Sequence, residues 1–416
     1  MSKRQVQGAA SEATDVVTIE VVQAISEIPA ADWDRCAIPD PASLNPFVMH
    51  AFLSALEESG SVSRRSGWLP QHLVLREGEG RNQGGGQIAG VAAAYVKTHS
   101  QGEYIFDHGW ADAYERAGGD YYPKLQIAVP FTPVPGPRFH VPPGADADRR
   151  RILLARGAAQ LAEKAKLSSV HATYLTEAEW SLLADHGYLQ RTGKQYHWGN
   201  AGYATYDAFL GTLASRKRKA LRKERAEALS GGIEVEWLTG GGITEDHWDA
   251  FYAFYMDTGS RKWGQPYLNR RFFSLLGEAM ADRCLLIMAK RAGRYVAGAL
   301  NLVGGDCVYG RYWGAIEHHA CLHFEICYHQ AIDYAIAHKL ARVEAGAQGD
   351  HKLARGYLPV PIYSSHWIRD RGFRQAVDRF LADERQQMEE VRQILAGAGP
   401  FRRGPLQQVE PPEEQD

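Results

Sequence analysis

The feature that most constrains this chain is an echo of its own pattern. Ile88-Ala89-Gly90, on the return arm of a hairpin in the N-terminal part, is matched by Val296-Ala297-Gly298 on the return arm of another in the C-terminal part. Glu103-Tyr104-Ile105-Phe106-Asp107-His108-Gly109-Trp110 is echoed by Val308-Tyr309-Gly310-Arg311-Tyr312-Trp313-Gly314. In each half a long helical run and a short strand follow. A chain that repeats one order of elements is built from two copies of one unit, and 416 residues suit two such units. The halves are expected at 16–200 and 201–403, between disordered tails at 1–15 and, acidic, at 404–416.

In the first half strands are expected at Val16 to Val22, His72 to Arg76, Ile88 to Val96 and Ser169 to Leu175, with an exposed loop over 78–86. Helices are expected over 46–58 and 148–166, and Thr176 caps a further one with Glu179 as capping-box partner. The second half reads as a strand at Ile233 to Leu238, helices over 244–258 and 269–280, and paired strands at 284–290 and 296–303. A strand at 307–313, a helix over 322–339 and a strand at 342–345 complete it. This order predicts an α/β (α+β) fold with mixed, partly antiparallel sheets flanked by helices.

Hydrophobic residues make up 45% and charged residues 23%, enough for two cores. No run approaches the roughly 18 apolar residues of a membrane span, and no apolar segment follows Lys3 and Arg4, so the protein is expected in the cytoplasm. The five cysteines (Cys36, Cys284, Cys307, Cys321 and Cys327) contain no C-x-x-C pair and sit among apolar neighbours, which excludes a disulfide scaffold and reads as buried thiols.

Positive charge is concentrated in one place. Ser215 to Ala226 reads SRKRKALRKERA, seven Lys or Arg against one Glu, inside a helix expected over 206–230 and stopped by Gly231-Gly232. At ~100° per residue, Leu210, Leu213, Ala220 and Leu221 form its buried stripe. Arg216, Arg218, Lys219, Arg222, Lys223 and Arg225 lie off the stripe, in solvent. Lys217 lies on it, with Glu224 further along. Lys217 either snorkels to the surface or delivers a cation to an interior cleft, as a substrate-binding candidate. Most charge runs are only solvated faces, but one acid among so many cations leaves a repulsion that a purely structural helix avoids. A polyanion such as tRNA is therefore a candidate partner, with Arg216, Arg218, Lys219, Arg222 and Lys223 as nucleic-acid-binding candidates.

This helix, Gly-Gly, Ile233 to Leu238, and Phe251 to Arg261 with Thr258-Gly259-Ser260-Arg261 resemble the second half of the FemAB-type peptidoglycan-bridge aminoacyltransferases. Asn45-Pro46-Phe47, Phe106-Asp107-His108-Gly109-Trp110, Tyr121-Tyr122-Pro123-Lys124, Thr258 to Trp263 and Glu344 to Lys352 resemble the FemAB-like predicted N-acyltransferases, over roughly residues 18 to 403. The resemblance implies tandem GNAT-like acyltransferase domains that transfer an acyl or aminoacyl group to an amine. The acceptor it implies is a small molecule, a peptide or a peptidoglycan precursor. It also implies no tightly bound cofactor, with aminoacyl-tRNA or acyl-CoA as co-substrate.

Acyl-CoA enzymes of this kind usually seat the donor diphosphate on backbone N–H groups at a helix start, through a Gln/Arg-x-x-Gly-x-Gly/Ala loop. Here the corresponding turn, Gly314 to Leu322, lacks the paired glycines and carries Glu317 where an anion would approach. Gly118-Gly119-Asp120-Tyr121 in the first half is no better, so CoA is disfavoured as donor.

Acyl transfer to an amine needs a base, donors for the tetrahedral oxyanion, and a hold on the donor. Glu325, at the edge of an apolar helix face, and Asp107, a charge hard to bury without a partner, are catalytic candidates, against plain salt bridges. Lys352 is a third candidate, and with Arg355 it falls where the FemAB relatives have cations that touch substrate phosphate. His351 beside it is a weaker proton carrier. Arg311 and Tyr312, at the end of a central strand, are substrate-binding candidates; Trp313 and Trp110 read as core. Arg261 and Lys262 are carried over from the resemblance as substrate-binding residues. His319-x-x-x-His323 has the spacing of a metal pair, but no third ligand accompanies it and no metal is expected. A CoA-dependent enzyme lacking the usual loop, or a non-catalytic RNA- or precursor-binding module, are the alternatives.

Overall fold

A computed structural model of the chain describes residues 16–78, 86–262, 266–347 and 349–402, without the side chains of Val16 and of residues 260–262. The tails expected at 1–15 and 404–416, and most of the loop expected at 78–86, lie outside the described residues. The first half supplies β1 (Val16–Val22), β2 (Trp68–Pro70), β3 (His72–Gly78), β4 (Gln87–Ala92), β5 (Ala94–Lys97), β6 (Lys124–Ile127), β7 (Ser169–Leu175) and β8 (Leu189–Gly199). The second supplies β9 (Ile233–Thr239), β10 (Cys284–Arg291), β11 (Arg294–Val303), β12 (Cys307–Ala315), β13 (Arg342–Glu344) and β14 (Leu358–Ile368). β1, β3 and β4 form a small antiparallel sheet. The others form one sheet of eleven strands in the order β2-β5-β6-β7-β14-β8-β13-β12-β11-β10-β9.

The paired Ala-Gly positions mark equivalent places. β3–β4 and β10–β11 are antiparallel hairpins, and each return strand is crossed by a helix at its glycine. A Cβ on Gly90 would stand 3.0 Å from Leu154 of the helix Ala147–Lys164, and one on Gly298 3.3 Å from Phe251 of the helix Glu245–Lys262. The other echo does not hold. Val308 to Gly314 lie in β12, whereas 103–110 form a turn and the start of the helix His108–Arg116. The first-half counterpart of β12 is β6, which pairs antiparallel with β5 and parallel with β7 as β12 pairs with β11 and β13.

The halves are joined by a reciprocal exchange of strands. β14 lies between β7 and β8, antiparallel to both, and β8 in turn pairs with β13. Each half's last strand thus completes the other's sheet, so the chain boundary near 200 does not separate two closed units. Pro359 and Pro361 fall in the stretch of β14 that is paired with β8 alone, where a missing N–H is tolerated.

The largest apolar core is also shared. Phe47 meets Tyr309 edge-on with centroids 5.4 Å apart, and Phe52 meets Phe272 at 5.8 Å. Among the described residues no helix is long and apolar enough to cross a membrane.

The helix expected over 206–230 is two helices, Tyr206–Thr212 and Ser215–Ala228. Between them Leu213 and Ala214 are extended, because Leu213 bridges to Phe401 and the Ala214 N–H donates to the Pro400 carbonyl. The helical phase of Leu210 and Leu213 therefore does not carry into the basic helix. Lys217 is exposed, as in the surface alternative of its two readings, and is not directed into a cleft as a substrate-binding cation.

Candidate active site

β12 pairs with β13 only from Cys307 to Tyr309, while its other edge follows β11 to Ala315. From Gly310 onward the two parallel strands part. The parting begins at a bulge: Leu300 pairs with Tyr312 and Asn301 with Gly310, leaving Arg311 as the extra residue. Arg311 turns back onto the end of β13. Its Nη1 donates to the carbonyls of Gly310 (2.9 Å) and Glu344 (3.3 Å), and its Nη2 lies 3.5 Å from the Glu344 carboxylate. Arg311 Nε and Asn301 Oδ1 are buried with no hydrogen-bond partner. With Trp313, Cys327 and Tyr328 these residues line a small cavity of about 100 Å³ in the gap.

The far lip of the gap is the turn after β13. Lys352, only 2% exposed, donates from Nζ to three successive carbonyls, Ala345 (2.7 Å), Gly346 (3.2 Å) and Ala347 (2.9 Å). Burial, reinforced by the charge of Arg311, brings its ammonium down to about 7. Arg355 does not face this gap. It forks onto Glu224 (2.9 and 2.5 Å) and lies over the Phe324 ring at 3.5 Å. That pairing removes it as a free phosphate-binding cation. His351 is exposed, with Nε2 2.9 Å from the Tyr328 hydroxyl.

The helix running from 322 to 337 contains one π turn, Glu325–His329. It points Glu325 and His329 at the basic helix and leaves Cys327 and Tyr328 at the gap. Glu325, fully buried, accepts from Arg225 Nε (3.0 Å) and Nη2 (2.8 Å), and Arg225 also reaches Asp333 (2.7 Å). His329 Nε2 meets Glu224 at 2.8 Å. Glu325 is thus one end of an ion pair that docks the basic helix, and not a base facing a substrate. Arg225, expected in solvent, is the other end. On the outer face Arg216, Lys217, Lys219, Arg222 and Lys223 are exposed and Arg218 is half-buried.

Asp107 is similarly committed. One carboxylate oxygen accepts from Ser100 Oγ (2.6 Å), and the other from the Tyr121 hydroxyl (2.6 Å) and from Lys124 Nζ (2.5 Å), which is fully buried. Burial opposes its charge, but Lys124 and His171 hold its carboxyl well below the usual range. Asp107 anchors the 98–107 loop and is not a free base. Lys124 also donates to Glu103 (2.8 Å).

That loop forms one wall of a cleft between the halves. Tyr104, Phe106 and His108 from the first half face Tyr255, Tyr267 and Tyr312 from the second across a cavity of about 370 Å³. Ala347, beside the carbonyls that Lys352 holds, also lines it, and Tyr312 lines both this cleft and the gap. Arg261 and Lys262 close the helix Glu245–Lys262 near Gly259 on the cleft wall; their side chains lie outside the described ones. Tyr104, Tyr255 and Tyr267 have no common sequence signal beyond their aromatic character.

Among the described residues the first half has no equivalent gap. Where β7 runs on past its pairing with β6, the Pro-rich loop fills the space: Gly136 N donates to the Tyr174 carbonyl (3.0 Å) and buried Arg138 Nε to the Thr173 carbonyl (2.9 Å). Glu179 accepts from the backbone N–H groups of Arg138 and Phe139 (3.0 and 2.9 Å). Among the described residues no group of three His, Cys, Asp or Glu could hold a metal ion.

A family model described as FemAB-like, peptidoglycan biosynthesis/recognition, matches residues 24–403. Among solved structures the chain is similar to FemX, with 12% identity and a TM-score of 0.52, covering 84% of this chain and 98% of that one. It is also similar to L-PGS from Bacillus licheniformis (10% identity, 82% and 98% covered, TM-score 0.46). A tandem GNAT protein from the clavulanic acid biosynthesis pathway is a further likeness (12% identity, 85% and 98% covered, TM-score 0.46). No curated protein matches the sequence.

Proposed function

Because the chain belongs to the FemAB-like family of peptidoglycan biosynthesis and recognition, we propose that it transfers an aminoacyl or acyl group to an amine acceptor, in the cytoplasm, on a peptidoglycan precursor. The observation that carries this reading is the meeting of two cavities at Tyr312 and the 345–347 turn. An acyl carbonyl in the β12–β13 gap and an amine in the cleft between the halves would be held side by side there. Arg311 Nε, buried and without a partner, is the donor available to the developing oxyanion. Lys352 is a positioning residue that fixes the turn. Neither Glu325 nor Asp107 is free to act as base. The acceptor reacts as the free amine, its ammonium having first given one proton to solvent. The second proton passes from the attacking nitrogen to the departing oxygen of an ester donor, or sulfur of a thioester donor, as the C–N bond forms and the C–O or C–S bond breaks.

The exposed cations of the basic helix support aminoacyl-tRNA as donor. A second reading, acyl-CoA, is favoured by one specific observation. Glu317, expected to repel an anion at the helix start, is neutralised by Arg291 (2.9 Å) and Arg294 (3.1 Å). A cavity of about 360 Å³ lies beside it.

The test is to incubate the protein with charged tRNA, or with acyl-CoA, and a peptidoglycan precursor bearing a free amine, and to read the product by mass spectrometry. A mass gain that ribonuclease abolishes supports the tRNA donor, and one that survives ribonuclease supports acyl-CoA. Precursor or RNA binding without transfer from either donor overturns the enzyme reading in favour of a binding module.

A further inference from the structure

Of the five cysteines, all expected to be buried, three are. Burial pushes the thiols of Cys36 and Cys284 up to about 11 and about 12, and that of Cys307 well above the ordinary value. Cys321 is partly exposed, but burial and then the Glu227 and Glu224 carboxylates raise its thiol as well. Such thiols react slowly, because the thiolate is the nucleophile. Cys327 is also partly exposed, and its neighbours include cations. The π turn leaves it at the β12–β13 gap, in one wall with Asn301, Arg311, Trp313, His323 and Tyr328. Lys352 is close enough for a charge on Cys327 to favour its ammonium, and by the same attraction the ammonium favours the thiolate. The Glu344 carboxylate nearby is tied to Arg311 (3.5 Å) and Arg342 (3.4 Å).

The gap encloses about 100 Å³, and two atoms in its wall lack partners. Arg311, with its side chain 3% exposed, has a buried Nε that donates to nothing. Asn301 is fully buried, and its Oδ1 accepts from nothing. Gly310 keeps that oxygen uncovered, since a Cβ there would stand 3.2 Å from it. Unpaired buried donors and acceptors are costly and call for an occupant. A group that completes both must accept one hydrogen bond and donate another. A sulfenic acid, S–O–H, does both, and it forms on the thiol that shares this cavity.

We propose that Cys327 is a modification site for hydroperoxides and that its sulfenic acid closes the gap, a consequence for activity that rests on the acyl-transfer reading. The Cys327 sulfur attacks one oxygen of hydrogen peroxide. The S–O bond forms as the O–O bond breaks, sulfur gives two electrons to the peroxide, and the thiol proton leaves with the other hydroxyl as water. The new oxygen accepts from Arg311 Nε, and its hydrogen is donated to Asn301 Oδ1. Arg311 Nε is then no longer available to an oxyanion, so transfer stops. Two equivalents of a thiol reverse the change, returning Cys327 with one disulfide and one water.

The experiment treats the full chain with hydrogen peroxide and dimedone, which caps sulfenic acids, and locates the adduct by mass spectrometry of the digest. The adduct on Cys327 is expected to form about tenfold or more faster than on any other cysteine. Its rate is expected to fall at least about threefold in Arg311→Met and in Lys352→Met, with thermal melting to show that each variant is folded. Peroxide without dimedone, then removed, is expected to stop transfer, and dithiothreitol to restore it. Cys327→Ser, whatever its basal activity, is expected to keep that activity after peroxide. An adduct that is missing from Cys327, spread evenly over the five cysteines, or formed as fast in both variants overturns the proposal. A Cys327 adduct that leaves transfer undiminished overturns it while acyl transfer stands. A selective adduct that depends on Arg311 and Lys352, with no transfer from either donor, keeps the modification site and removes the acyl-transfer reading.

Discussion

His171 on β7 and His366 on β14 stand opposite each other in the ladder, with their Nδ1 atoms 2.7 Å apart. Only one proton fits between two such nitrogens, so the contact needs at least one neutral ring. Their outer nitrogens meet Ser169 (2.7 Å) and Ser364 (3.0 Å). Burial, and then the positive charge of Lys124, lowers His171 to about 3; burial and His171 itself hold His366 well below the ordinary value.

These rings bind protons more readily in the unfolded chain than in the folded one. Stability should be complete above about pH 6.5 and fall as pH drops toward 3, by up to ~1.4 kcal/mol per pH unit for each histidine. Denaturant titrations at pH 7, 5.5 and 4.5 check this. The slope in His366→Gln should be flatter than in wild type, and equal slopes would refute the assignment.

Lys352→Met should lower turnover tenfold or more while moving the melting temperature little, because the 345–347 turn loses its three-way tie but not its packing. In wild type, activity should fall as pH rises through about 7, where the ammonium loses its proton. The pH–rate profile of the variant should lack that step.

The two faces of the basic helix should separate. Arg225→Ala leaves the Glu325 carboxylate buried without its guanidinium and should cost ~3–5 kcal/mol. Lys219→Glu, Arg222→Glu and Lys223→Glu alter exposed residues and should each change stability by no more than about 0.5 kcal/mol. Together they should abolish salt-dependent affinity for tRNA. Chemical denaturation and binding at two salt concentrations distinguish the faces.

Gly314→Ala should destabilise the protein by about 1–3 kcal/mol or more. A Cβ there would stand 2.1 Å from the backbone of Phe254, where the helix Glu245–Lys262 crosses β12. A melting curve suffices to check it.

Hairpin strands and one capped helix were legible because their patterns are local: Thr176 caps its helix as the sequence suggests. β8 was hidden by its charged and small residues, and β14 by Pro359 and Pro361, which only a one-sided ladder tolerates. Arg311, Tyr312 and Lys352 could be picked out from a strand end and a glycine-flanked turn. Glu325 was misread because the covering element, which brings Arg225, lies 100 residues earlier. Lys217 fell on the expected buried stripe because the break at Leu213 depends on Phe401. The tyrosines of the cleft meet only through the fold.

The exchanged strands also govern how the protein comes into being. His171 waits for a partner 195 residues further along the chain, so during synthesis β7 and β8 are made long before the strand that belongs between them. Until β14 arrives, both carry open edges able to pair with another copy, and contacts so distant in sequence form slowly. The cleft and the gap beside it are consequently products of the last stage of folding, and a nascent chain that has not yet released residue 368 has neither of them in finished form.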